Sequence, residues 1–276
     1  MDFTLETYRN FILTLKQKNY SFLPFVKYIE LRLSSPVSPY TSILISRHDV
    51  DRIPQNALKL AHLENLLGIK GTYYFRIVPK SYNEQVISEI ANLGHEIGYH
   101  YEDVDLVSKE RGRKGESESG REELIDAAYE SFCKNLELFR KNFDLKTICM
   151  HGSPRSKYDN KIIWEKYNYK ELGIIGEPYF DLDFNEFAYF TDTGRRWNGN
   201  NVSVRDKVTS KYNFNFKSTK DIIDNLDMLP DKLMFTIHPE RWTNNPIPWT
   251  KELLLQNTKN LVKRIIIQTS SQRSQN

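Results

Sequence analysis

Four times in this chain an apolar run ends abruptly in a cluster of histidine, acid and arginine. ILIS at 43–46 runs into RHDVDR, and HEIGYH at 95–100 runs into a polar loop through HYED. TICM at 147–150 runs into HGSPR, and KLMFTI at 232–237 runs into HPERW. GTYYFR at 71–76 reads as a further strand, with others near 173–176 and 187–191. Helical patterns fill the spaces, at 5–17, 55–67, 83–93, 121–142 and 249–265. In the first of these Leu5, Tyr8, Phe11, Ile12 and Leu15 recur at helical spacing, and Gly68 and Gly94 close the second and third. Strands alternating with helices imply parallel strands joined by helical crossovers. Folds of that kind build their sites at the C-terminal strand ends. Four polar clusters converging on one such end favour a barrel or near-barrel.

The 276 residues, 39% hydrophobic and 13% aromatic, suffice for one large α/β core, and no internal repeat or linker argues for two. A single domain is expected: an N-terminal helical extension over 1–40, a barrel over 41–268 and a frayed tail over 269–276. SKERGRKGESESGR at 108–121 reads as a surface loop. The net charge of +3, with both signs interspersed, gives no reason to expect nucleic acid as a partner. The N-terminus carries acids early and lysines inside its apolar stretch, unlike a secretory signal, and no run approaches membrane-helix length. A cytoplasmic protein with two reduced thiols, Cys133 and Cys149, is expected.

In a strand through RHDVDR, side chains alternate faces, so Asp49 and Asp51 point the same way. Two adjacent carboxylates repel unless a cation lies between them or one takes up a proton. That suits a metal site in which one ligates and the other is a base. A solvated turn neutralised by Arg47 and Arg52 is the simpler alternative. His100 lies at its strand's end, where a ligand would be, followed by Glu102 and Asp103. Imidazole and carboxylate together are a suitable set for a divalent metal such as zinc. His95, of opposite parity, reads as structural. His151 and His238 each follow a strand directly. A lone histidine there is usually structural; three of them with an Asp pair at one end point to a site. Trp197 and Trp242, on polar loops, could stack on a ring of a ligand, or could be partly buried packing residues.

ILISRHDVD, GTYYFR, LGHEIGYH and MFTIHPERW, in this order and spacing, resemble the polysaccharide deacetylase family (NodB homology, carbohydrate esterase family 4). The resemblance spans roughly residues 43–240 and is nearest to a branch linked to surface-polysaccharide biosynthesis. It implies a distorted (β/α) barrel of about seven parallel strands and a metal-dependent hydrolase removing an N-acetyl group from a sugar or glycan precursor. By resemblance, Asp49 is the general base, Asp51 and His100 are metal ligands and His238 is the general acid. Arg155 matches, loosely, the arginine that holds the base. The family's second metal histidine, four residues after the first, is absent: that position is Val104. A third ligand must then come from Glu102, Asp103, His151 or water. His151 is favoured by its place on an adjacent strand, and Glu102 by sharing parity with His100. The missing histidine supports another reading, a silent glycan-binding member of the fold, and a hydrolase of a non-sugar amide on the same scaffold is a further alternative.

Overall fold

The computed structural model describes the chain except residues 36–37, 112–117, 153–155, 199–207 and 274–276, and describes the backbone alone at 111, 118–119 and 261–273. Its strands are β1 (Ser21–Phe22), β2 (Ile43–Val50), β3 (Thr72–Phe75), β4 (Glu96–Tyr101), β5 (Ile148–Met150), β6 (Ala188–Thr191) and β7 (Lys232–Ile237). Its α-helices are α1 (Leu5–Gln17), α2 (Phe25–Ser34), α3 (Pro54–Leu66), α4 (Glu84–Asn92), α5 (Asp103–Arg111), α6 (Glu118–Arg140), α7 (Pro178–Asp181), α8 (Thr219–Asp224) and α9 (Pro246–Arg273). Six strands follow the order β5-β4-β3-β2-β7-β6, and β1 adds to the lower part of β2. Every pairing is parallel. The sheet curls into a half-barrel with helices around it, a distorted α/β barrel. No helix among the described residues is long and apolar enough to cross a membrane.

Central β2 is buried along its whole length, as a strand flanked on both edges and covered on both faces must be. Its odd positions sort by height. Ile43 and Ile45 pack with Met234, Tyr189 and Phe25 and Ile29 of α2, giving an apolar floor. Arg47 and Asp49, above them, give a polar mouth. Between floor and mouth Tyr74 reaches towards β4, where a Cβ on Gly98 would stand 2.3 Å from its ring. Only glycine fits there. Helix starts follow local chemistry: Thr4 caps α1, Asn83 caps α4, and Ser218 with Asp221 forms a capping box on α8.

Several elements differ from expectation. β2 does not stop at the charged cluster but runs through Arg47, His48 and Asp49, because backbone pairing to β3 and β7 continues there. Residues 173–176 contribute only an isolated bridge, Thr147↔Gly176. The expected loop at 108–121 is shortened from both sides by α5 and α6, and its centre, 112–117, lies outside the described residues. Helix α9 continues to Arg273, through most of the stretch expected to fray.

The even face of β2 carries a second polar cluster, behind the mouth. Glu64 of α3 is fully buried and accepts from Tyr8 Oη at 2.5 Å and Tyr73 Oη at 2.8 Å, with His48 Nε2 3.1 Å away. Burial pushes its carboxyl pKa up, but the His48 ring beside it prevails and brings it down to about 2. Glu64→Ala should therefore cost about 3–5 kcal/mol in urea denaturation, the usual result of removing one partner from a buried charged cluster. Because the folded pKa is depressed, the contribution of Glu64 is complete above pH about 4.5 and is lost as pH falls towards about 2. The gap between wild type and variant should narrow over that window. A gap under about 1 kcal/mol at neutral pH would remove Glu64 from the stabilising cluster.

Candidate active site

Parallel register levels the polar residues at one end of the sheet. His48 pairs with Ile237, so Asp49 and His238 emerge together; Val50 pairs with Phe75 and Phe75 with Tyr99, so Arg76 and His100 emerge with Asp51, two residues further along. His100 pairs with Cys149, and Tyr101 with Met150, so Glu102 and His151 follow side by side. Asp51 lies just past the end of β2. Its N–H bonds the Asp49 carbonyl at 3.1 Å, turning the chain sharply, and Ile53 then takes φ 55°. A β-branched residue in that left-handed region is strained, at a cost of order 1–3 kcal/mol. The Ile53 N–H is pinned to the Lys80 carbonyl at 3.0 Å, so the turn is held from outside.

Asp51 Oδ1 is buried and has no hydrogen-bond partner. It lies 3.6 Å from His100 Nε2 and 3.3 Å from His151 Nε2. The other nitrogen of His100, Nδ1, meets the Cys149 carbonyl at 2.9 Å, which makes it the N–H and leaves Nε2 with the lone pair. Burial holds the His100 pKa down to about 4 against the pull of Asp49, so the ring is neutral at pH 7. Asp51, despite burial, is held well below the usual carboxylate range, chiefly by His151 and His238 beside it.

Among the described residues these three are one of three groups that could hold a cation; the others are Asp49–His100–Cys149 and Glu102–Asp105–His151. The first is the best supplied with free donor atoms. Both Asp49 oxygens are taken by Arg47, from Nε at 2.8 Å and Nη2 at 2.6 Å. Both Glu102 oxygens are taken by Arg76, from Nε at 2.8 Å and Nη2 at 2.5 Å. The distances fit as well: ligands 2.0–2.1 Å from a tetrahedral zinc stand roughly 3.3 Å apart.

Nearby lies a buried His–Asp pair that sequence reasoning caught only by half. His238 Nδ1 meets Asp192 Oδ1 at 2.6 Å, and Asp192 also accepts from the His238 backbone at 3.0 Å, Trp242 Nε1 at 2.8 Å and Arg241. Burial and the Arg241 cation push the His238 pKa down. The Asp192 charge and hydrogen bond, helped by Asp51, outweigh them and raise it to about 8. Asp49 is also ionised: burial favours its neutral form, but the Arg47 ion pair prevails and lowers its pKa.

No protein-family model matches this chain, and no curated protein compared with it is similar to it.

The structure thus brings Asp49, Asp51, His100, Glu102, His151 and His238 to one mouth. Arg155 lies outside the described residues. Bidentate pairing to Asp49, the role expected of Arg155, is made by Arg47, two residues earlier on the same strand face. Glu102 stands behind His151, 3.4 Å from its Nδ1. Asp103 faces away, bonded to Tyr99, Ser131 and Asn135. Val104 is buried in α5. His95 is structural in setting, between the Gly71 N–H and the Ala61 carbonyl.

The two tryptophans require correction. Trp197 and Trp242 are 2% and 0% exposed, so neither can stack on a sugar ring. Trp242 packs on Phe3 and Tyr8 and donates to Asp192; Trp197 donates to Thr219. The N-terminal segment covers both, a contact across most of the chain that local polarity does not reveal.

Sequence reasoning missed Arg47, Arg76, Asp192 and Arg241 as members of the site. Asp192 follows a strand directly, the same signal that marked the histidines. Glu240 was also passed over. It is buried near Asp51, one of its oxygens has no hydrogen-bond partner, and burial and Asp51 push its pKa up to about 7.

Proposed function

We propose that this chain is a metal-dependent hydrolase that removes an N-acetyl group from a sugar or glycan precursor, as the resemblance to polysaccharide deacetylases implies. The observation that carries it is the unpartnered Asp51 Oδ1 facing two imidazole Nε2 atoms, at 3.6 and 3.3 Å, between the carboxylate of Asp49 and the His238–Asp192 pair. Two imidazoles and one carboxylate with a fourth position open are the donor set of a catalytic zinc. His151, from the end of β5, supplies what the missing histidine at position 104 does not.

A divalent metal there supplies Lewis acidity, lowering the pKa of a water towards about 7 and polarising the acyl oxygen. The protein's own residues do the rest. Asp49, ionised and fixed by Arg47, accepts the proton of the attacking water. His238, charged below pH about 8 and steadied by Asp192, donates a proton to the departing amine. Arg47 fixes the Asp49 carboxylate plane and lowers its basicity, so the base is well placed rather than strong.

The test is acetate release from N-acetylated sugars, both free oligomers of N-acetylglucosamine and its nucleotide-linked form, by zinc-loaded protein. Asp49→Asn should retain the metal and lose about 10²–10⁴-fold in rate, because a carboxamide cannot accept the proton. No acetate from any of these probes, with one zinc bound per chain, would count against the deacetylase reading. An Asp49→Asn protein within threefold of wild type would remove the base role.

A further inference from the structure

We propose that Arg76 and Glu102 are positioning residues for the metal centre, with Arg76 fixing Glu102 so that this carboxylate orients His151. The inference rests on the metal-site reading above and deepens it.

Arg76 follows β3 directly and is 6% exposed. Its backbone N–H is tied to Ser81 Oγ at 3.0 Å, and Ser81 in turn donates to the Val50 carbonyl at the end of β2. From this fixed base one guanidinium reaches two members of the site. Nη1 donates to the Asp51 carbonyl at 3.2 Å, while Nε and Nη2 fork onto Glu102 at 2.8 and 2.5 Å. Arginine presents such a planar fork to a carboxylate with little loss of freedom. Glu102, 1% exposed, has no solvent in which to turn aside.

The third link is His151. Its Nδ1 is buried, makes no hydrogen bond and lies 3.4 Å from Glu102 Oε2, while its Nε2 lies 3.3 Å from Asp51. A ring with one nitrogen facing an acceptor and the other facing a ligand position is the carboxylate–histidine–metal arrangement that sets tautomer and ring orientation. When Nε2 takes a metal, Nδ1 carries the proton, and Glu102 is the acceptor in reach.

The consequence concerns coordination number. Glu102 stands on the Nδ1 side of His151, outside the Asp51–His100–His151 group, and both its oxygens are committed to Arg76. Four protein ligands close a zinc site and make it structural; three leave the position that catalysis needs. Asp51, His100 and His151 are then the three ligands.

The experiment measures zinc affinity, metal stoichiometry and the visible spectrum of the cobalt(II) form, none of which requires a substrate. Glu102→Gln should still bind one metal per chain, with affinity about 10–100-fold weaker and an unchanged cobalt envelope. Because Glu102→Gln leaves Arg76 buried without its charge partner, the double variant Arg76→Met/Glu102→Gln is measured beside it. That pair leaves no lone charge, and it should show the same loss of affinity. An affinity within twofold of wild type in a folded variant would overturn the proposal. So would a changed cobalt envelope, which would make Glu102 a ligand, or a second metal in the wild type that Glu102→Gln removes, which would place a cation at Glu102–Asp105–His151. Asp51→Ala serves as the reference. Undiminished zinc binding there would refute the metal site itself, a different failure from loss of the Glu102 effect alone.

Discussion

Asp51→Ala and His100→Ala should each yield a folded protein that binds no zinc and releases no measurable acetate. Asp51 contributes the buried oxygen that faces both imidazoles, and His100 contributes a ring already neutral at pH 7, with its tautomer fixed by the Cys149 carbonyl. Neither belongs to the apolar clusters of the core, and both lie at the open end of the sheet. Removing one of the three proposed ligands leaves too few donors to hold the ion, so the metal is lost rather than merely loosened. Elemental analysis with circular dichroism checks the pair of claims together. Stoichiometric zinc in either folded variant rules out the assignment. Among the histidines, His151→Ala should lower metal content far more than His95→Ala. His95 is committed behind the sheet to the Gly71 N–H and the Ala61 carbonyl.

His238→Ala should lose about 10²–10⁴-fold on an N-acetyl sugar and much less on an activated acetate ester, with metal content unchanged. An amine leaves poorly unless protonated, whereas the phenolate of an activated ester departs unaided. The state of His238 sets the pH response. Its folded pKa is raised to about 8, so the donor is present at neutral pH and is lost as pH rises through that value. Activity on the amide should fall above pH about 8, and activity on the ester should not follow it. Asp192→Asn removes the charge that raises this pKa, so the fall should begin at lower pH. Equal impairment of His238→Ala on both substrates would give the residue a positioning role. Unchanged activity on both would make it structural.

Much of the site was legible because strands have a short period and fixed ends. Alternating apolar runs and helical patterns located six of the seven strands, and the polar clusters marked which strand ends carry chemistry. Asp49 and Asp51 both come within 3.7 Å of His100 Nε2. Asp51 lies beyond β2 and reaches the mouth through a tight turn onto the Asp49 carbonyl, not through strand alternation. Arg47 was open to the same parity argument, since it precedes Asp49 by two, but was read only as a neutralising surface charge. The two-residue β1 and the short helices α7 and α8 carry too few residues for a periodic signal.

The sequence by itself determined the fold class and which residues lie at the strand ends, because side-chain alternation and the length of a helical crossover are local properties of the chain. Only the tertiary structure decided who faces whom. Cross-strand register put His151 beside Asp51 and Glu102, and paired Asp192 with His238. It also committed Glu102 to Arg76 and buried Trp197 and Trp242 under the N-terminal segment. Such pairings join residues from 26 to 239 positions apart. They depend on desolvation and on competition among charges for the same partner, and neither is set until the strands are side by side.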